Sequence, residues 1–361
     1  MSRVCTGCGE PAERTDRFCE GCGRELEAAP DTDDVVEIDD AVAPAPSLPR
    51  RTDLRADVER PQPCAVCGSD AGSADGFCDE CGRLRPAGRD HVEILLAGAA
   101  AVTDRGLVRA RNEDAYSVIT LPGGTTAAVV CDGVASVPGG AEASLVACEA
   151  AADAVPSEVG DAEDVARRSA EAARYAVAAL ASGPPGDPPA CTYVGAVVTG
   201  EEIAVAWVGD SRAYWIADGE PVEGSRVLTV DDSWAAEVVA LGLLDADAAW
   251  ADRRAHVITR WLAADAPEYP VRTTTLQPRS PGVLLLCSDG LWNHLPDPEV
   301  LAAVCRGEDL HRGGKQDLLG SAQALLDAAL TEGGHDNTTL VLIAAGPRTP
   351  DGPDRSIGGI P

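Results

Sequence analysis

This chain of 361 residues has little positive charge and few aromatic side chains. Its 29 Lys and Arg residues, with Lys315 the one lysine, stand against 59 Asp and Glu residues, so the formal net charge is -30. A surface this acidic repels nucleic-acid phosphates and anionic lipid headgroups, so we expect neither partner. The preference for arginine over lysine, with heavy use of alanine, glycine and proline, indicates a GC-rich bacterial source.

The sequence also lacks a long apolar segment. No window reaches the roughly 18 apolar residues that a membrane-spanning helix needs. The stretch ILLAGAAAV at 94–102 is too short and is predicted to be a strand. The opening residues MSRVCTGCGE have no apolar core of a signal peptide. Because 45% of the residues are hydrophobic, we expect a globular protein with its own core, located in the cytoplasm.

The 13 cysteines are not spaced as a disulfide framework. Eight of them form two quartets of identical spacing, Cys-x2-Cys, ten residues, Cys-x2-Cys, which indicates an internal duplication. The quartets are Cys5, Cys8, Cys19 and Cys22, then Cys64, Cys67, Cys78 and Cys81. Thiolates in such knuckles suit tetrahedral zinc, and a ribbon too short to bury a core takes its folding free energy from the metal. We predict two structural Zn2+ sites.

A redox Cys-x2-Cys pair and an iron–sulfur site are the alternatives, and the closed four-cysteine ribbon disfavours both. Zinc ribbons bind either nucleic acid or protein. Neither repeat carries a basic stripe or an aromatic cluster, so we favour a protein partner or autoregulation, with an inert structural role as the alternative. The remaining cysteines lie in apolar runs and are predicted to be buried: Cys131, Cys148, Cys191, Cys287 and Cys305.

Changes in composition divide the chain into five segments. They are a zinc ribbon at 1–26, an acidic Pro-rich linker at 27–60, a second ribbon at 61–88, a compact domain at 92–346 and a disordered tail at 347–361. Within the compact domain, apolar runs predict strands at 126–131, 192–199, 203–208, 213–217, 283–287 and 338–344. Ala-rich stretches predict helices at 141–155, 161–182, 234–242, 297–306 and 316–331.

Four aspartates each stand beside one of the strand-like runs: Asp132, Asp210, Asp289 and Asp336. A single Asp after a strand is most often a turn former or a helix cap. Several carboxylates with few basic neighbours, however, would each cost several kcal/mol, by order of magnitude, to bury unpaired. Shared divalent cations would keep them ionised together. The set therefore predicts a metal-dependent hydrolase.

Five segments that contain these aspartates occur in the order found in one family. They are TDRGLVRARNEDAY (103–116), VVCDG (129–133), WVGDSRAYW (207–215), LLLCSDGLW (284–292) and GGHDNTTLVLI (333–343). Together they resemble the metal-dependent protein phosphatases, the type 2C serine/threonine class, over about residues 100–346. The resemblance implies an α/β fold (α+β), an αββα sandwich of two antiparallel sheets flanked by helices, preceded here by the two small ribbons.

The resemblance also implies roles for individual residues. Asp132 would bridge two metals, and the backbone carbonyl of Gly133 would bind one of them. Asp289 and Asp336 would be the remaining ligands of the second metal. Glu113 and Asp114 would hold the metals directly or through water. Asp210, with Asp289, would bind a weaker third metal. Arg109 would bind the substrate phosphate, and Asn337 would orient Asp336.

One departure concerns proton transfer. Val134 follows Asp132-Gly133 and cannot donate a proton. If a side chain protonates the leaving group, the candidates are His335 and His256, with a metal-bound water as the alternative. His256 falls in segment 231–262, which resembles the family's flap beside the active site.

The expected function is hydrolysis of phosphoserine and phosphothreonine in proteins by water activated with two or three Mn2+ or Mg2+ ions. In signal transduction the enzyme would reverse a bacterial Ser/Thr kinase, and the zinc ribbons would dock a partner or substrate. The alternative is a catalytically weak or inactive phosphoprotein-binding scaffold on the same fold. Complete metal ligands favour the enzyme.

Overall fold

The computed structural model describes residues 88–180, 188–200, 202–218, 224–307 and 317–347, together with residues 3–4 and 11–12. The chain divides into two compact units, Met1–Leu48 and Pro49–Pro361. In the first, strands β1 (Arg3–Val4) and β2 (Pro11–Ala12) form an antiparallel pair. The eight predicted zinc ligands, the predicted linker and all but the first residue of the predicted tail lie outside the described residues.

The strands of the second unit form two antiparallel sheets within the described ranges. They are β3 (His91–Leu96), β4 (Ala99–Asp104), β5 (Ala115–Thr120), β6 (Thr126–Cys131), β7 (Tyr193–Val198), β8 (Ile203–Val208), β9 (Arg212–Ala217), β10 (Arg226–Val227), β11 (Arg272–Leu276), β12 (Gly282–Cys287) and β13 (Thr338–Ala345). One sheet has six strands in the order β10-β9-β12-β13-β4-β3, and the other has five in the order β11-β8-β7-β6-β5.

The helices of the second unit, within the described ranges, are α1 (Gly140–Asp153), α2 (Ala162–Ala178), α3 (Trp234–Ala240), α4 (Ala246–Trp250), α5 (Asp289–Trp292), α6 (Pro298–Cys305) and α7 (Leu318–Thr331). Helices α1 and α2 pack on the five-stranded sheet, α5, α6 and α7 pack on the six-stranded sheet, and α3 and α4 pack against each other. The side chains of Asp161, Asp297 and Asp317 accept hydrogen bonds from backbone N–H groups in the first turns of α2, α6 and α7, where no intrahelical partner exists. None of the described helices is both long and apolar enough to cross a bilayer.

Three apolar layers hold the second unit together. The central layer lies between the two sheets and includes Val205 and Leu286, both nearly inaccessible to solvent. Small alanines of α1 and α2 pack on the five-stranded sheet, whereas leucines such as Leu325 of α7 pack on the six-stranded sheet. Because each sheet is apolar on both faces, its strands read as continuous hydrophobic runs. The predicted αββα sandwich is confirmed.

The prediction of a single strand at 94–102 is wrong. Strands β3 and β4 are separate, and a turn at residues 97–98 joins them as an antiparallel hairpin. Gly98 has a φ of 83°, which glycine adopts without steric cost. The apolar run hid the turn because Ala97 and Gly98 carry no polar signal. Strands β5 and β11 were not predicted, and β11 (RTTTL) is a partly exposed edge strand rather than an apolar run.

His91 joins this hairpin through two ion pairs. It lies directly opposite Asp104 across the strands, with Nδ1 2.7 Å from Asp104 Oδ2, and its Nε2 lies 3.2 Å from Glu93 Oε1. Burial opposes protonation of the imidazole. The hydrogen bonds to both carboxylates outweigh burial and raise the pKa of His91 to about 9. Both ring nitrogens therefore donate, and the cation pairs with two carboxylates.

We predict that His91→Gln destabilises the fold by on the order of 1–3 kcal/mol at pH 6, and by much less at pH 10. The unfolded histidine titrates near 6.5, so the stabilisation is complete below that pH and is lost as pH rises through the folded pKa. Denaturant unfolding of both proteins at the two pH values measures the difference. A penalty that does not change with pH would contradict the ion-pair assignment.

Candidate metal centre

The predicted site residues meet where four strands end or begin. Asp132 follows β6, Asp210 and Asp289 come two residues after β8 and β12, and Asp336 comes two residues before β13. Because neighbouring strands run antiparallel, the ends of β6, β8 and β12 and the start of β13 reach the same edge of the sandwich. The residues lining the open cavity there include Arg109, Glu113, Asp132, Gly133, Asp210, Asp289, Asp336 and Asn337.

The carboxylates at this edge disfavour one another's ionisation in the absence of a cation. Burial, followed by the charges of Asp114 and Asp289, raises the pKa of Asp132 well above its usual range. Burial and the charge of Asp289 do the same to the pKa of Asp210. The pKa of Asp289 is raised by burial and then by the charge of Asp336. The cavity is thus a region of strong negative potential.

The predicted acidic pair, Glu113 and Asp114, is divided between two positions. Glu113 lies on the cavity wall, where Arg111 Nη2 approaches its Oε1 to 2.7 Å. Asp114 is buried outside the set of residues lining the cavity, and its Oδ2 accepts a hydrogen bond of 2.7 Å from the Ser288 hydroxyl. Burial raises the pKa of Asp114 to about 7. Any action of Asp114 on a bound ion would therefore pass through an intermediary such as water.

Two buried carboxylate oxygens test whether this site suits a cation. Oδ1 of Asp289 and Oδ1 of Asp114 are inaccessible to solvent and have no hydrogen-bond partner in the described part of the chain. Hard oxygen ligands suit Mg2+ and Mn2+, and Mg2+ usually keeps several waters. Within the described residues, no group of three or more His, Cys, Asp or Glu side chains lies close enough together to hold a metal ion by itself. The donor set fits ions that complete their shells with water and the Gly133 carbonyl.

Arg109 supplies positive charge inside the cavity. Its Nη2 donates to Asp336 Oδ2 over 2.5 Å, and its side chain remains 40% exposed. The hydrogen bond that Arg109 donates to Asp336 raises the pKa of Arg109, whereas burial lowers it. The charges of Asp336, Asp289 and Asp132 raise the pKa further. The guanidinium is therefore within electrostatic reach of three predicted metal ligands.

Asn337 holds the Arg109 loop against Asp336. Its Oδ1 accepts from Glu113 N at 2.8 Å, and its Nδ2 donates to the carbonyl oxygens of Arg105 and Arg111 at 2.8 and 3.0 Å. Its own backbone N–H donates to Asp336 Oδ1 at 2.8 Å. The backbone N–H of Asn337 thus contacts the carboxylate that Asn337 is predicted to orient. Its side chain has the additional task of positioning the loop from 105 to 113.

Two hydroxyl residues that the sequence analysis missed support the ligands. Thr192 Oγ1 accepts from Asp132 N at 3.1 Å and lies 2.8 Å from Ser211 Oγ. Ser288 bonds Asp114 and also accepts from Thr339 N at 3.0 Å, which ties the ends of β12 and β13 together. No spacing rule marks either residue, because each contacts an acidic residue that is distant in sequence.

Comparison with known proteins gives two family matches. The model of the protein phosphatase 2C family matches residues 108–330. The model of the double zinc ribbon family matches residues 5–82, which contain all eight cysteines of the two quartets.

Individual relatives agree with the first match. Serine/threonine protein phosphatase PstP of Mycobacterium tuberculosis is 29% identical over 252 residues, 69% of this chain but 45% of PstP. The chain thus spans less than half the length of PstP. Serine/threonine phosphatase stp of Listeria welshimeri is 28% identical over 247 residues, 67% of this chain and 93% of the relative. The crystal structure of the PstP catalytic domain in complex with two manganese ions has a TM-score of 0.55 at 28% identity, covering 68% of this chain and 97% of that one.

We predict that Asp289→Asn stabilises the metal-free protein by on the order of 1 kcal/mol, because the change removes a charge from a repulsive cluster. It should also reduce the increase in Tm that Mn2+ produces, since a ligand is lost. Thermal unfolding with and without Mn2+ measures both effects. Asp327→Asn, on the exposed side of α7, is the matched control. A full Mn2+-dependent increase in Asp289→Asn would contradict the assignment.

Proposed function

Since the chain belongs to the protein phosphatase 2C family, we propose that it is a metal-dependent serine/threonine protein phosphatase. The observation that carries this proposal is the convergence of Asp132, Asp210, Asp289 and Asp336 on a cavity that also contains Arg109. The names of the PstP and stp relatives support a phosphoserine and phosphothreonine substrate class. Phosphorylated substrates of a bacterial Ser/Thr kinase in the cytoplasm are the partners that we infer.

Two Mn2+ or Mg2+ ions, when bound, would lower the pKa of a water molecule and neutralise charge on the phosphoryl group. The manganese complex of the PstP catalytic domain supports this cofactor. Asp132 and the Gly133 carbonyl would hold one ion, and Asp132, Asp289 and Asp336 the other. Asp210 and Asp289 would hold a third ion, with Glu113 acting directly or through water and Asp114 acting through water.

The chain's own residues would bind and orient the phosphate. Arg109 presents a planar guanidinium that can bind two phosphate oxygens at once. Movement of this guanidinium from Asp336 to the substrate would place it over the cavity. Asn337 fixes the loop that carries Arg109 by its bonds to the Arg105 and Arg111 carbonyls. Gly133 must remain glycine, because a Cβ there would lie 2.8 Å from the Glu113 carbonyl oxygen and 2.5 Å from Gly140 C. The ligand-bearing loops are therefore fixed before substrate binds.

We predict that the purified protein hydrolyses p-nitrophenyl phosphate and phosphothreonine peptides when Mn2+ is added, and that Asp132→Asn lowers kcat by about 100-fold or more. Released phosphate measures turnover, and Asp327→Asn is again the control. Wild-type-like turnover by Asp132→Asn would contradict the mechanism. Phosphopeptide binding by a metal-loaded wild type without turnover would support the scaffold alternative instead.

We propose that the double zinc ribbon docks substrate or partner proteins. The absence of a basic stripe and of an aromatic cluster from its sequence supports a protein ligand. The catalytic unit then begins by Gly88, because Arg89 Nη2 donates to the Asp114 carbonyl at 3.0 Å and Arg105 N donates to the Asp90 carbonyl at 2.7 Å.

We predict that removing residues 1–87 leaves kcat on short phosphopeptides unchanged and raises KM for phosphoprotein substrates. The reason is that a docking surface contributes binding energy only to a substrate large enough to reach it. Steady-state kinetics on a phosphoprotein and on its isolated phosphopeptide separate the two effects. Equal changes for both substrates would contradict docking.

A further inference from the structure

We propose that His256 donates the proton to the leaving seryl or threonyl oxygen, an inference that rests on the proposed function. His256 lines the same cavity as Asp132 and Asp289. Histidine is the side chain that most often serves as a general acid. His256 is the one histidine among the described residues that line this cavity. Val134, next to Gly133, is apolar.

Aromatic contacts fix the His256 ring. It is stacked on Trp292, with ring centroids 5.8 Å apart and planes 27° apart. Trp250 lies 5.8 Å from the same ring at a tilt of 56°. Trp292 is 3% exposed and belongs to α5, whose first residue is Asp289. The imidazole is thus packed on the short helix that carries a predicted metal ligand.

A buried ion pair supports the aromatic platform. The guanidinium carbon of Arg212 lies 3.6 Å from the Trp292 ring centroid and 5.6 Å from that of Trp250. Arg212 donates to both oxygens of Asp231 at 2.9 and 2.7 Å. Because this pair satisfies the guanidinium within the protein, Arg212 positions the rings rather than binding phosphate.

Backbone hydrogen bonds anchor the segment that follows His256. Val257 O accepts from Trp234 N at 2.9 Å, and Thr259 N donates to Asp232 O at 2.8 Å. Asp232 in turn accepts from Gly209 N through Oδ2 at 3.1 Å. Gly209 precedes Asp210 in the sequence, so the segment that carries His256 is tied to the loop of another predicted ligand. The side chain is exposed to the cavity while its backbone is held.

The other sequence-based candidate, His335, lies elsewhere. Its Nε2 lies 2.6 Å from the point that a Cβ on Gly333 would occupy, so the ring folds back over its own turn. Its centroid is 6.3 Å from the His294 ring, and it does not belong to the set of residues lining the cavity. Glu113 also lines the cavity, but Arg111 holds its carboxylate. The geometry therefore favours His256.

Hydrolysis of the phosphoserine ester requires a proton on the departing seryl oxygen. Water attacks phosphorus opposite the ester oxygen and gives one proton to solvent. The bond between phosphorus and the seryl oxygen breaks, and its electron pair remains on that oxygen. The imidazolium of His256 transfers its N–H proton to the same oxygen, which yields a serine hydroxyl and inorganic phosphate. Neutral His256 then takes a proton from solvent.

The test compares two leaving groups in His256→Gln. A seryl or threonyl oxygen needs a proton to leave, whereas p-nitrophenolate leaves without one. General acid catalysis contributes about 100-fold or more, so we expect at least that loss of kcat on a phosphothreonine peptide and little change on p-nitrophenyl phosphate. His294→Gln, a matched histidine change outside the cavity-lining residues, should match the wild type on both substrates. The Mn2+-dependent increase in Tm should persist in both variants.

The other outcomes are distinguishable. Equal losses on both substrates would overturn the donor role and indicate a part in binding. Unchanged rates on both would also overturn it and leave water as the proton source. A metal-loaded wild type that is inactive on both substrates would overturn the proposed function, and the donor role with it.

Discussion

Mutual repulsion among carboxylates is the constraint on which this molecule depends. Asp132, Asp210, Asp289 and Asp336 lie at one edge of the sandwich, and Asp114 is buried close enough to raise the pKa of Asp132. The chain could relieve the repulsion by surrounding these groups with arginine. It instead places a single partly exposed guanidinium, that of Arg109, on Asp336. A protein that leaves such a cluster largely uncompensated holds it together for a cation.

The fold makes this possible because strand ends are rigid. Each ligand is within two residues of a strand that is hydrogen bonded to its neighbours in the sheet. Hydroxyl and amide groups then fix the turns: Thr192 holds the backbone of Asp132, Ser288 holds Asp114, and Asn337 holds the loop from 105 to 113. Such partners position ligands much as the partners of metal-bound residues do in other sites. The apolar layers therefore determine the geometry of a polar site.

The sequence predicted features that depend on neighbouring residues, such as strands, but not contacts between residues that are far apart in the chain. Apolar runs predicted six of the strands, since a run of four to eight residues carries its own signal. The sandwich itself was implied by the resemblance of five segments to a known family. The hairpin at Gly98 was missed because its turn is built from two small apolar residues. Asp114 is buried outside the cavity lining, where it is hydrogen bonded to Ser288, 174 positions away in the sequence. The stack of His256 on Trp292 likewise joins two segments that no periodicity relates.

That stack explains how the flap segment can take part in chemistry although it lies outside the two sheets. Val134 leaves the position after Gly133 apolar, so a proton donor must reach the cavity from another element. The segment carrying His256 reaches the cavity, and Asp232 links this segment to Gly209 by a hydrogen bond. The Trp292 ring on which His256 stacks is in turn supported by the ion pair of Arg212 and Asp231. Asp231 and Asp232 are adjacent, and they engage Gly209 and Arg212 on either side of Asp210. The predicted metal ligand Asp210 and the proposed proton donor His256 therefore both lie next to segments that the same two aspartates hold.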